Sequence, residues 1–229
     1  MIGVIVPAHN EQALLPTCLR SLQLAAQHPM LEGEAVQILV VLDACSDQSA
    51  TVCRAFGALT LSIDARNVGH ARRIGAAYML SRGVRWLACT DADSSVPDDW
   101  LMRQLAFKAD AVCGTVRVED WEDHDETVQQ RYLAAYQARE GHRHIHGANL
   151  GICAKAYRRV GGFKPLRAHE DVGLVEDLER YGARIVWTAL NSVSTSARRD
   201  CRARNGFGDY LKSLAGRRLG DFQERPGAE

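Results

Sequence analysis

A regular alternation constrains this chain more than any other feature. Short apolar runs rich in β-branched residues, at 2–8 (IGVIVPA), 36–43 (VQILVVLD), 59–64 (LTLSID) and 85–91 (RWLACTD), alternate with stretches of helical spacing. Those stretches cover 11–27, where Leu14, Leu15, Cys18, Leu22 and Ala25 fall near one face, then 47–56 and 70–82. Apolar runs without polar punctuation suit strands covered on both faces, as in a parallel sheet. Strand–helix alternation builds right-handed βαβ units in a doubly wound sheet. The expected class is therefore α/β, a mostly parallel doubly wound sheet flanked by helices. Such sheets take ligands beyond the carboxyl ends of their strands.

Those ends are acidic. The first run ends in Pro7-Ala8-His9-Asn10-Glu11, the second in Asp43 and the fourth in Asp91-Ala92-Asp93. Three strands thus deliver carboxylates to one rim. No Gly-x-Gly-x-x-Gly follows the first strand and no Gly-x-x-x-x-Gly-Lys-[Ser/Thr] occurs, so a nucleotide diphosphate would need another neutralising group. Asp-x-Asp at a strand end turns both side chains to one face. Asp91 and Asp93 would then hold Mg²⁺ or Mn²⁺, whose hard-oxygen preference matches carboxylates and phosphates together. The triplet by itself recurs often by chance.

Bulk properties exclude several classes. Lys plus Arg is 28 and Asp plus Glu is 28, so no overall field attracts nucleic acid. Seven cysteines form no Cys-x-x-Cys pair, which argues against a disulfide framework or a zinc knuckle and for a reducing, cytoplasmic setting. No basic leader precedes the first apolar run, and no stretch approaches the roughly 18 apolar residues of a membrane span. Contact with a membrane, at its inner face, would be peripheral.

In the second half, 119–147 opens on an acidic cluster and continues with a helical pattern. A strand is expected at 148–154, then a helix, the Gly161-Gly162 break, a helix over 169–182 stopped by Gly182, and a strand at 183–189. His142, His144 and His146 alternate and would share one face of an extended segment. They suit a transition-metal trio, although His146, beside Gly147-Ala148-Asn149, also suits the lining of an acceptor pocket. Asp47, Glu170 and Asp171 fit the first turn of a helix as well as a site.

The ordered set of motifs resembles the family-two glycosyltransferases, inverting enzymes with the GT-A fold. Pro7–Glu11 resembles their opening motif, and DACSDQSAT (43–51) the second. RNVGHARRIGAA (66–77) resembles their Asn-x-Gly segment, and TDADSSVPDDWL (90–101) the metal-motif segment. HGANLGICAKAYRRVGGF (146–163) with HEDVGLVEDLERYGARI (169–185) resembles the acceptor half. The resemblance implies that Pro7, Ala8, Asn10, Glu11 and Asp43 cradle the base and ribose of a sugar nucleotide. It implies that Arg72 contacts the nucleotide or diphosphate, that Asp91 lies near ribose and metal, and that Asp93 is the firmest metal ligand. Asp171 would be the general base, supported by Glu170, with His146 and Asn149 toward the acceptor.

A departing diphosphate needs its charge stabilised. The incoming hydroxyl needs a base on the other face of the sugar, and in-line attack from that face inverts the anomeric centre. The implied activity is non-processive transfer of one sugar to a hydroxyl or amine, since the Gln-x-x-Arg-Trp signature of polymerising relatives is absent. A pyrophosphorylase would need a Gly-rich N-terminal loop. An idle sugar-nucleotide-binding partner would be expected to lack Asp93 or the Glu-Asp pair.

The chain divides into a nucleotide-sugar-binding half (1–118), an acceptor half (119–197) and a basic helical tail (198–229). Between 198 and 218 the tail carries seven basic residues against two acids. Three readings stand for it: Arg198 or Arg199 closing over the diphosphate, attraction of an anionic or lipid-linked acceptor at a membrane surface, or a solvated surface. GT-A enzymes often add a late His to the metal, and no His follows His169.

Overall fold

The computed structural model describes residues 1–121 and 124–198, with 209, 211 and 212. Strands β1 (Ile2–Ala8), β2 (Val36–Asp43), β3 (Leu59–Ile63) and β4 (Trp86–Cys89) are joined by helices α1 (Leu15–Ala26), α2 (Ser49–Ala55) and α3 (Val68–Ser81). β1 pairs in parallel with both β2 and β4, and β2 with β3. The chain continues through β5 (Ser94–Ser95), α4 (Trp100–Ala106), β6 (Ala111–Val118), α5 (Glu126–Ala135), β7 (Leu150–Cys153), α6 (Ala154–Arg159), α7 (Glu170–Arg180) and β8 (Ile185–Thr195). The sheet order is β3-β2-β1-β4-β7-β6-β8-β5.

Both faces of the sheet are covered, which is why β1 has no polar alternation. Val4 and Val6 pack with Leu15, Leu19 and Leu22 of α1 on one side. Ile5 packs with Ala71, Ala76 and Met79 of α3 on the other. All nine are 1% exposed or less, and each buried large aliphatic side chain contributes about 1.5–3 kcal/mol. A smaller cluster of Val128, Tyr132, Ala197 and Leu211, backed by Trp121 and Tyr136, packs α5 against the chain that follows β8.

The sheet is mostly parallel, as expected, with β7 entering antiparallel between β4 and β6. Two expectations change. The helical pattern expected after the acidic cluster of 119–147 gives only a short helix. Asp125 accepts from Val128 N at 2.9 Å to start α5, and the backbone leaves helical geometry at Tyr136 (φ −92°, ψ 106°). The polar stretch that follows offers no apolar face to bury. β8 runs on past the expected 189 to Thr195, through a bulge opposite Gly114 and Thr115. Most of the basic tail, Arg199 included, lies outside the described residues. Among those described, no helix is long and apolar enough to cross a membrane.

Candidate active site

The loops after β1 and β2 interlock. Asn10 takes a left-handed backbone (φ 55°), which Asn tolerates better than most residues, and its Oδ1 accepts from Ser46 N at 2.7 Å. Gln12 N donates to Asp47 Oδ2 at 2.9 Å, and Gln48 N donates to Gln12 Oε1 at 2.8 Å. Asp47 also takes Ser49 N at 3.0 Å, so it secures the start of α2. The Cys45 thiol donates to Ala8 O and accepts from Asn10 N, both at 3.3 Å. Pro7 and Ala8 close β1 opposite Val41 and Leu42.

Asp43 is buried, 5% exposed, and its carboxylate faces the turn after β3. It accepts from Ala65 N, Arg66 N and Asn67 N at 2.7, 2.8 and 2.7 Å. With about four lone-pair sites on a carboxylate, roughly one remains for a ligand, so Asp43 shapes the rim more than it faces a base. Asn67 then serves two further bonds. Its Oδ1 accepts from His70 N at 2.9 Å, capping α3, and its Nδ2 donates to Pro165 O at 3.0 Å. Gly69 N donates to Leu166 O at 3.0 Å, and a Cβ at Gly69 would strike the backbone of Lys164 and Leu166. The Asn-x-Gly segment therefore ties the first half of the chain to the loop that leads into α7.

Arg72 is not at the surface. It is 3% exposed and its guanidinium pairs with both Asp91 Oδ1 and Glu170 Oε1. It lies directly over Gly147, where any Cβ would collide with it. The sequence did not indicate this pairing, and its resemblance placed Arg72 on the nucleotide or diphosphate. Asp171 is fixed alongside, Oδ2 accepting from Gly147 N at 2.6 Å and Oδ1 from Val172 N at 2.8 Å. On the other side of Asp91, Asp93 Oδ2 lies 3.0 Å from Arg198 Nη2. Arg198 also forks onto Glu11 at 2.7 and 2.6 Å. Glu11, Asp91, Asp93, Glu170 and Asp171 thus meet in one network.

Burial, with the neighbouring Asp91 charge, pushes the Asp93 carboxyl up to about 7. Burial likewise raises Asp91 and Glu170 against the pull of Arg72. This crowd of acids, short of positive charge, fits a divalent cation. Among the described residues no three His, Cys, Asp or Glu groups could hold a metal between them. The pair expected from the sequence, Asp91 and Asp93, would supply two carboxylates, and Mg²⁺ is commonly bound through one or two carboxylates plus substrate phosphates.

The histidines do share one face, but their rings stack, 5.3 Å apart for His142 and His144 and 6.1 Å for His144 and His146. Their edge nitrogens reach separate partners: Thr188 O at 3.2 Å, Gln137 O at 3.1 Å and the Tyr136 hydroxyl at 3.0 Å. They do not converge on an ion. His146 borders Asp171, and burial pushes its imidazole down to about 4. Asn149, expected toward the acceptor, is 1% exposed. Its amide is spent internally on Trp100 Nε1, Thr115 O and Asn191 O at 2.9, 2.8 and 2.8 Å, so it braces the β6–β8 bulge instead.

A model of "Glycosyl transferase family 2" matches residues 3–164. The chain is 29% identical over 167 residues to the undecaprenyl-phosphate 4-deoxy-4-formamido-L-arabinose transferase of Pseudomonas aeruginosa, covering 69% of this chain and 47% of that protein. It thus spans about half the length of that relative. The S. aureus TarS 1-349 structure in complex with UDP-GlcNAc superposes with a TM-score of 0.66 at 13% identity, covering 93% of this chain and 65% of that one. The Pyrobaculum calidifontis mannosyltransferase PcManGT, in complex with GDP-Man and Mn2+, gives 0.65 at 19% identity over 87% of this chain and 57% of that one. At these identities the structural likeness carries the fold, the GT-A arrangement, and nothing finer.

Proposed function

Because the chain belongs to glycosyl transferase family 2, we propose that it moves one sugar from a nucleotide-diphosphate sugar to an acceptor hydroxyl or amine, inverting the anomeric centre. The observation that supports this reading best is the bridge of Arg72 between Asp91 and Glu170. It holds the end of β4 beside the start of α7, so the acids suited to a diphosphate and those suited to an acceptor lie side by side.

The nucleoside would lie against Pro7, Ala8 and Asn10 and the rim that Asp43 shapes. Asp91 and Asp93 would hold Mg²⁺ or Mn²⁺ with the diphosphate, where such an ion supplies Lewis-acid stabilisation of the leaving group. Asp171 takes the proton of the incoming hydroxyl. Its two backbone N–H bonds fix the carboxylate's direction before the acceptor arrives, which is the preorganisation a general base requires. Glu170 stays bound to Arg72 and keeps α7 in register. His146 lines the acceptor side as a neutral group.

A thermal-shift panel of UDP-, GDP-, CDP- and TDP-sugars, with and without Mn²⁺, tests donor binding, since a ligand bound only by the native state raises the melting temperature. Asp171→Asn should keep that shift and lower turnover by about 10²–10⁴-fold. Normal transfer by Asp171→Asn would remove it as the base.

A further inference from the structure

Arg198 is placed by an element the sequence reading cut short. β8 runs to Thr195, where Ser94 pairs with Thr195 and Ser95 with Ser194. Ser196 N then donates to Asp93 O at 3.2 Å, so the next turn of chain brings Arg198 against the Asp-x-Asp acids. Its contacts are unequal. Both terminal nitrogens engage Glu11, at 2.7 and 2.6 Å, and Nη2 lies farther from Asp93 Oδ2, at 3.0 Å. The Glu11 side chain is 6% exposed, and those of Arg198 and Asp93 are 19% and 18% exposed. The fork is anchored on Glu11 and touches Asp93 in passing.

Charge explains why a guanidinium sits there. Arg72 serves Asp91 and Glu170, which leaves Asp93 and Glu11 to be neutralised from the other side. Bidentate Arg–carboxylate pairing is strong and pre-organised, so Glu11 can keep Arg198 in place after its contact to Asp93 is lost. A divalent ion on Asp93 would compete with Arg198 for the same carboxylate.

We propose that Arg198 is the resident counter-cation of Asp93, displaced from it by a divalent ion and then turned, still anchored on Glu11, toward the diphosphate as a second positive charge. The inference rests on the donor-binding reading above. It makes Glu11 a positioning residue for Arg198 rather than a contact of the base or ribose.

The test compares wild type, Arg198→Gln and Arg198→Lys in two titrations. One follows binding of Mn²⁺ alone by the loss of its free-ion electron paramagnetic resonance signal. The other follows, by calorimetry in saturating Mn²⁺, binding of whichever of UDP, GDP, CDP or TDP binds wild type most tightly. Arg198→Gln should bind Mn²⁺ alone more tightly, by about 2–5-fold, the scale of one partly exposed ion pair. The same variant should bind the nucleoside diphosphate about 10–100-fold more weakly, the scale of a charged hydrogen bond. Arg198→Lys, which keeps the charge and loses the fork, should fall between the two. A merely structural pair would lower the melting temperature and leave both affinities alone, and that result, or changes of the same sign in both titrations, overturns the inference. Wild type that binds neither Mn²⁺ nor any of the four nucleotides takes down the donor-binding reading and the inference together. Wild type that binds normally while Arg198→Gln is unaffected removes the inference alone.

Discussion

The loops after β1, β2 and β3 are held by backbone N–H groups and short side chains from their immediate neighbours, whereas the groups supplied by residues 136–171 hang on one buried guanidinium and a column of rings. On the proposed donor side Asn10, Asp43, Asp47 and Asn67 each close a turn or join two adjacent loops. On the proposed acceptor side Tyr132 stacks on Tyr136 at 5.1 Å and Tyr136 on His144 at 4.2 Å, over a small apolar cluster. The difference separates two ways of pre-forming a site. Many redundant local bonds make the donor rim tolerant of single losses. The acceptor side concentrates its order in Arg72, so one substitution should undo it.

Arg72→Met is the largest expected effect. It leaves the Glu170 carboxylate buried and Asp91 beside it with no cation, and removing one partner of a buried pair costs about 3–5 kcal/mol. Urea unfolding should show that loss, and adding Glu170→Gln should recover part of it. If Arg72→Met costs no more than a single donor-loop substitution, the contrast between the two sides is wrong. Gly147→Ala sharpens the same point without touching any charge. Its new methyl meets the Arg72 guanidinium, an overpacking that costs about 1–3 kcal/mol, and the displaced Arg72 should weaken turnover more than nucleotide binding. Equal loss of both would place Gly147 on the donor side.

Asn67→Ala is the donor-side counterpart. It removes the cap of α3, worth about 0.5–2 kcal/mol, and frees Pro165 O, but Asp43 keeps its three backbone partners because they do not depend on the Asn67 side chain. A modest drop in the urea midpoint with nucleotide affinity within about twofold of wild type is the expected result. Loss of nucleotide binding would show that the donor rim is not redundant.

This division also accounts for what could be read from the residues. β1–β4 and α1–α3 were legible because apolar runs and helical spacing are local, and Asp91, Asp93 and the Glu170-Asp171 pair were legible because they stand at element ends. Arg72 could be named but its partners could not, since they lie 19 and 98 residues away. Asn149 was misplaced for the opposite reason: a polar residue beside a candidate pocket looks ligand-facing until the β8 bulge that consumes its amide is known. β6 was missed although its run is apolar, and no local signal indicates that β8 would continue to Thr195 and carry Arg198 to Asp93. Where placement depends on strands distant in sequence, composition and spacing are silent.

The smallest expected effect separates the two sides by pH. Val116 N donates to the Tyr136 hydroxyl at 3.0 Å, and that oxygen lies 3.0 Å from His146 Nε2. Burial lowers His146 to about 4 from 6.5, with Asp171 opposing the shift and His144 and His142 adding to it. A base depressed in the native state contributes stability that is fully present above pH 6.5. That contribution is lost as pH falls from 6.5 toward 4, because the unfolded chain takes up the proton first. On the donor side Asp47 is pushed up by burial, yet hydrogen bonds from Ser49 and Gln12 hold it below 3.8. Its contribution therefore survives until the pH drops beneath about 4. His146→Gln should flatten the fall in urea midpoint between pH 7 and pH 4.5, while Asp47→Asn should lower the midpoint at both pH values and leave that slope unchanged. A slope that responds to Asp47 and not to His146 would mean that the acceptor side does not carry the buried neutral base that its ring column requires.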